Sequence, residues 1–234
     1  PSFLPSLHGF AFVNAFKGSP LPHSLRPLQP ILGSTVPDHF GLCGGMCAAA
    51  ADYFLSAVPI PATATIPTQG QPLFEYLFQR QADSYAGTTV PLRVLAGMTT
   101  PDTGEGGLQS MNSKELPAIR ARLAKGELVQ LCLILGKADG KTKPWDNHQV
   151  LAYALIAQDA ATDSHPSTIA LSIYDPNFPK DDAATLRFTA TPDGLSCIRT
   201  AHRQSKAAIT TPVRGVFAAP YTKRTPNLTI PPPT

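Results

Sequence analysis

The sequence predicts an α+β fold, with helices gathered in the first half of the chain and antiparallel strands in the second. Three observations lead there. Apolar residues recur at helical spacing over 43–57, 72–84 and 113–125. From residue 127 the texture changes to short apolar or alternating runs set apart by turn residues. Strand-like and helix-like segments do not alternate, as a parallel sheet with crossover helices would require. The chain has 234 residues, enough for one large domain or two small ones. The expected division is a wrapping segment and helical subdomain over 1–126, a β subdomain over 127–221 and a proline-rich tail over 222–234, all in one globular unit.

Taken in order, residues 1–40 are proline-rich and read as an extended wrapping segment with a short strand near Phe10–Phe16. The helix over 43–57 places Met46, Ala50, Tyr53, Phe54 and Ala57 on one buried stripe, and Pro59 and Pro61 end it. Pro72 suits the first turn of the next helix, which has Leu73, Tyr76, Leu77 and Arg80 on one face. Residues 86–111, with six Gly and Pro positions (Gly87, Pro91, Pro101, Gly104, Gly106, Gly107), read as a long irregular loop of functional weight. Asn112 and Glu115 have capping-box spacing ahead of the third helix, and Gly126 suits the position just past its end. Strands follow at 128–135, 148–157, 168–174, 185–189, 195–199 and 214–219. The tail from Thr222 reads as loosely packed or disordered.

Composition excludes several function classes. The net charge is only +3 and the basic residues are scattered, without the Lys/Arg clusters among aromatics that nucleic-acid binding uses. No apolar run approaches the ~18 residues of a membrane span. Charged residues make up 15% of the chain, against a usual ~25%. Four cysteines, Cys43, Cys47, Cys132 and Cys197, are too few and too spread for a disulfide scaffold. Asn227-Leu228-Thr229 is a glycosylation sequon in the tail. Compartment and oligomeric state are not legible.

The chemistry concentrates in Gly41-Leu42-Cys43-Gly44-Gly45-Met46-Cys47. A cysteine stands where a loop becomes a helix, and two glycines follow it at a cost of roughly 1 kcal/mol each relative to alanine. The helix dipole at that position favours a thiolate. A nucleophilic thiol needs a base, and the base needs an orienting group. Of the six histidines, His148 opens the apolar strand Gln149–Leu155 directly after Trp145-Asp146-Asn147. The following strand ends in Asp175-Pro176-Asn177, so antiparallel pairing would set Asp175 beside His148 to accept its Nδ1 proton, with Asn177 as the alternative orienter.

Plainer readings stand beside these. Cysteines in apolar segments are usually small buried hydrophobes, the reading preferred for Cys47, Cys132 and Cys197. A strand-edge histidine can be a satisfied core group, and Asp-Pro-Asn can be only a turn. His39, Cys43 and Cys47 are spaced by four, but zinc needs a fourth ligand, and Pro37 and Gly41 interrupt a helix reaching back to His39, so no metal is expected.

The order Cys43, His148, Asp175 resembles the papain-like cysteine peptidase superfamily. Phe40–Cys47, Asn147–Tyr153 and Tyr174–Pro179 are similar to a little-characterised microbial group within it, over roughly residues 8–221. The resemblance implies a helical N-terminal subdomain carrying the cysteine and an antiparallel β-barrel-like C-terminal subdomain carrying histidine and aspartate. It implies a cleft between them, no cofactor, and a peptide or protein substrate. Cys43 would be nucleophile, His148 base and acid, and Asp175 orienter. Acyl transfer of the transglutaminase-like kind uses the same three residue types, and a catalytically silent binding protein of this fold is a further alternative. The glutamine that precedes the nucleophile in papain has Pro37 in its place, and the Cys-Gly-Ser-Cys-Trp signature is absent. The oxyanion donors expected instead are the N–H of Cys43 and the side chain of Asn14, with Asp38 and His39 near the thiol. Gly44, Gly45, Trp145 and Asn147 are the residues expected to line the substrate cleft.

Overall fold

Alternating apolar residues in the second half build one seven-stranded antiparallel sheet that curls into a half-barrel. The computed structural model describes residues 2–17, 39–139, 141–159, 167–203 and 207–226. The sheet contains β3 (Val129–Ile134), β4 (His148–Asp159), β5 (Thr168–Tyr174), β6 (Thr185–Thr191), β7 (Gly194–His202), β8 (Ala208–Val213) and β9 (Gly215–Ala218), in the order β8-β7-β6-β5-β4-β3-β9. Two register irregularities against β5, between Ala152 and Ala154 and between Leu155 and Ala157, lie along β4, where an added residue bends a strand and increases its twist. A separate two-stranded ribbon joins β1 (Phe16–Lys17) to β2 (His39–Phe40).

The two faces of the sheet carry different cores because side chains alternate along a strand. Leu131, Leu133, Val150, Ala152, Leu171, Ile173, Leu186, Phe188, Cys197 and Val216 form an inner cluster closed by Leu116, Ile119 and Leu123 of α5 (Leu108–Ala124). Leu151 and Tyr174 point the other way. They join Met46, Cys47, Ala50 and Tyr53 of α2 (Cys43–Leu55), Phe74 and Leu77 of α3 (Pro72–Ser84), and Phe3, Phe10, Phe12 and Phe16 of the N-terminal segment. A third cluster brings Cys132, Ile134 and Phe217 against Val90 of α4 (Thr89–Thr99) and Leu108.

Several elements differ from expectation. The 86–111 stretch contains the helix α4. Pro91 lies in its first turn, where an N–H is not needed, and Gly97 is where a Cβ would overlap Ile134. The third helix begins at Leu108 after Gly107, so Asn112 is not a cap. Inside α5, Asn112 donates to the carbonyl of Leu195 at 2.8 Å and accepts from the N–H of Val216 at 2.7 Å, tying helix to sheet. The edge strand β8, which contains Pro212, is absent from the expected strands; an edge position tolerates proline. The expected strand at Phe10–Phe16 shrinks to Phe16–Lys17, preceded by a short helix α1 (Pro5–His8). Pro37, Asp38 and Asn227 lie outside the described residues.

The helix carrying Cys43 has no exposed face in its middle. Every residue from Gly44 to Tyr53 is buried, and Ala57, expected in its stripe, is an exposed turn residue with φ 53°. Gly44 and Gly45 do not open a cleft. A Cβ at Gly45 would overlap the carbonyl oxygen of Leu77, and one at Gly44 would overlap Ser84 and Gln149. The glycines exist to let α3 and β4 approach α2. Alanine normally gains about 1 kcal/mol over glycine in a helix, but overpacking costs about 1–3 kcal/mol, and here the obstruction is backbone. Gly45→Ala is therefore expected to lower the urea midpoint. A midpoint equal to or above wild type would show that this approach does not limit packing.

Asp52 of α2 has no accessible surface and gathers four groups. It pairs with Arg80 Nε at 2.7 Å and accepts from the hydroxyls of Tyr76 and Tyr221 and the N–H of Arg224, each at 2.8 Å. Arg80 also donates to the Thr222 carbonyl at 2.9 Å. Residues 222–224 are therefore fixed to the helices rather than loose, because burying a charge requires this many partners.

Candidate active site

Three strands deliver charged groups to the inner face of the sheet. Val150, Ile173 and Cys197 belong to the inner cluster; two residues away from them along the chain stand His148, Asp175 and Arg199, all buried. His148 Nε2 lies 2.7 Å from Asp175 Oδ1, which also accepts the Asn177 N–H at 2.9 Å. The orienting contact thus uses Nε2, a correction to the expected Nδ1, and Nδ1 is the nitrogen left for the thiol. Asp175 Oδ2 accepts from Arg199 Nη1 at 3.2 Å. Asn177, the alternative orienter, serves Asp175 through its main chain rather than replacing it.

Cys43, at the first position of α2, is brought to the open end of this row. β5 ends at Tyr174 opposite Leu151, so strand pairing on that side stops short of Gln149. α2 takes its place there: the Cys47 thiol donates to the Gln149 carbonyl at 3.6 Å, and the Gln149 main chain lies close enough to Cys43 to favour its thiolate. The Cys43 thiol lies close enough to the His148 ring for each to shift the other's ionisation.

The electrostatics follow from these contacts. Burial alone would raise the Cys43 thiol. The His148 hydrogen bond and charge, with the N–H groups of Gln149 and Gly44, outweigh burial and hold it below its ordinary value. Burial alone would likewise lower His148, but the Asp175 charge and hydrogen bond, with Cys43, push it up to about 9. Asp175 is penalised by burial and yet held below the usual carboxylate range by His148, Arg199 and the Asn177 N–H. Cys47, Cys132 and Cys197 are raised by burial and stay protonated. This arrangement favours a thiolate–imidazolium pair, and of the four cysteines Cys43 alone is shifted toward the thiolate.

The remaining expected site residues are placed as follows. Asn14 reaches the segment before Cys43, but its amide is engaged at both ends. Oδ1 accepts the Leu42 N–H at 2.6 Å and Nδ2 donates to Asn177 Oδ1 at 3.0 Å. Asn14 therefore ties the loop before Cys43 to the loop after Asp175, with one of its two Nδ2 hydrogens committed to Asn177. Gly41 is needed beside it, since a Cβ there would press on the Asn14 amide. Among the first-turn donors, Gly44 faces the Cys43 sulfur and Gly45 donates to Gln81 Oε1 at 3.0 Å, leaving the Cys43 N–H as the oxyanion candidate. Asn147 does not face a cleft: its Oδ1 accepts from the N–H groups of Leu135 and Gly136 at 2.9 and 3.2 Å, bracing the turn before His148. Trp145, on a 3-10 turn over Pro144–Asp146, is 57% exposed. Among the described residues no group of three or more His, Cys, Asp or Glu is arranged to hold a metal, and no helix is long and apolar enough to cross a membrane.

Sequence reasoning missed Arg199, the Gln149 main chain and Tyr85, a half-exposed phenol close enough to Cys43 to feel its charge. Only the alternation of β7, Cys197-x-Arg199-x-Ala201, carried a signal for Arg199, since it places an arginine in phase with two apolar inner positions. Neither a family model, nor a curated protein, nor a solved structure matches the chain.

Proposed function

We propose that the protein is a cysteine hydrolase of papain-like type, acting on peptide or amide bonds through Cys43, His148 and Asp175. The observation that carries this reading is the pairing of a lowered Cys43 thiol with a raised His148 that Asp175 holds through Nε2. Structural cysteines have no such partner; Cys197, raised by burial alone, is the contrast within this chain.

In this mechanism the Cys43 thiolate attacks the carbonyl carbon and the carbonyl electron pair moves to oxygen, toward the N–H of Cys43. Collapse of the tetrahedral adduct breaks the carbon–nitrogen bond. The departing amine takes the proton from His148 Nδ1, leaving a thioester on Cys43. His148 then removes a proton from water, hydroxide adds to the thioester, and the thiolate is expelled as the acid departs. Asp175 stays ionised throughout and stabilises the imidazolium.

Acyl transfer by the same residues is the second reading, favoured by the specific presence of an ionised carboxylate as the third member. Mass spectrometry after incubation with an activated acyl ester distinguishes the two. Hydrolysis predicts an acyl adduct on Cys43 that decays in water alone; transfer predicts one that persists until a primary amine is added. No adduct on Cys43 under either condition would sink both and leave a binding protein.

A further inference from the structure

We propose that Arg199 is a positioning residue that sets the acidity of Cys43 through Asp175 and His148, by closing a row of four alternating charges whose last three members are buried. The proposal rests on the reading of Cys43 and His148 as an ion pair. It concerns a residue that the triad chemistry does not itself require.

The geometry supplies the chain. Cys43 and His148 act on each other's ionisation, His148 Nε2 lies 2.7 Å from Asp175 Oδ1, and Asp175 Oδ2 accepts from Arg199 Nη1 at 3.2 Å. His148, Asp175 and Arg199 are 5%, 1% and 8% exposed. With the thiol ionised, the signs run minus, plus, minus, plus, and the row is neutral. Without Arg199 the same row would hold two negative charges against one positive in a poorly solvated place. Burying net charge is expensive, and such a site relieves it by taking up a proton. Asp175 keeps the His148 cation and the Asn177 N–H, and His148 is already protonated, so the thiolate is the member that would accept that proton first.

The surroundings leave the balance to these four groups. Cys47 from α2, Cys132 from β3 and Tyr85 after α3 lie close enough to Cys43 to feel its charge, and Tyr174 from β5 lies near Cys47 and Asp175. Burial raises all four, so they stay neutral where the thiol reacts. Around Arg199, Nη2 donates to Thr211 of β8 at 3.3 Å and the guanidinium lies 5.6 Å from the Phe178 ring centre. Arg203 approaches the same ring at 5.9 Å, and Asp181 is committed to His202 at 3.3 Å. The uncharged Thr211 and Phe178 position the guanidinium without cancelling it. Arginine suits the task because it cannot lose its proton in a buried site.

The test is the pH dependence of Cys43 alkylation by iodoacetamide in the full chain, followed by mass spectrometry. Arg199→Gln keeps a hydrogen-bonding head without the charge, and Arg199→Lys keeps the charge without the fork. Arg199→Gln is expected to move the acid limb of the profile up by about one unit. Alkylation near pH 6 would then fall roughly tenfold, with little change above about pH 9.5, where the thiol ionises unaided. Arg199→Lys is expected to stay close to wild type. Protection of Cys47, Cys132 and Cys197 in the same spectra reports that the fold is intact. If the glutamine variant loses that protection, Arg199→Met, whose stem retains the packing on Phe178, reads the same limb. A neutral variant that is folded and superimposes on wild type overturns the role of Arg199 while leaving the ion pair standing. A wild-type profile like that of a free thiol overturns both.

Discussion

Replacing His148 with alanine is expected to slow alkylation of Cys43 by about a hundredfold near pH 6. A free thiol with an ordinary value near 8.5 is only about 0.3% ionised at that pH. Cys43 is held below that range chiefly by the hydrogen bond and charge of His148, against the opposing effect of burial. Removing the ring leaves only the N–H groups of Gln149 and Gly44 to offset burial, so the thiolate is lost except in alkali. The sign is therefore specific: the variant should recover reactivity as pH rises, and wild type should need no such rise. Turnover of any amide substrate should fall further, by about 10²–10⁴, because the proton donor to the leaving amine is also gone. Equal alkylation rates for the two proteins at pH 6 would rule out the ion pair and, with it, the proposed hydrolase.

Asp52→Ala is expected to cost about 3–5 kcal/mol, the usual result of stranding a buried cation. Arg80 would keep Asp83 at 2.7 Å and the Thr222 carbonyl, but lose its inner partner. Tyr76, Tyr221 and the Arg224 N–H would each lose an acceptor. A domain of ordinary stability, about 5–15 kcal/mol, would be left marginal. Urea unfolding measures the loss. Trypsin gives a sharper readout, since Lys223 and Arg224 lie in the segment that Asp52 secures. Cleavage there should accelerate in the variant even below the unfolding transition. An unchanged cleavage rate in a destabilised variant would mean that Asp52 supports the helices and not the C-terminal segment.

What could be read from the sequence was whatever is written in local periodicity. Alternation in 148–157 and 168–174 located β4 and β5, and the helical spacing of Met46, Ala50 and Tyr53 located α2. Because β4 and β5 pair antiparallel, the meeting of His148 and Asp175 followed from strand ends alone. What could not be read depended on contacts between distant segments. Pro91 resembles a breaker until its first-turn position in α4 explains it. Gly44 and Gly45 resemble an opening for substrate until α3 is found lying against them. That Asn14 bridges Leu42 and Asn177 depends on where those two loops lie, which residue order does not give. The ring nitrogen that faces Asp175 is likewise a matter of how β4 and β5 set their side chains, not of residue order.

The shared inner face of His148, Asp175 and Arg199 makes the site intolerant of a particular kind of change. Successive side chains of a strand point to opposite faces, so a shift of one residue turns a whole set over. Deleting one residue from β4 just after His148 would either carry the imidazole out of line with Asp175 or drive Val150 and Ala152 out of the inner cluster. Loss of two adjacent residues would keep the alternation and disturb only the length. The chain should thus tolerate insertions and deletions in pairs along these strands far better than singly, and a library of one- and two-residue deletions scored by Cys43 reactivity would expose that parity.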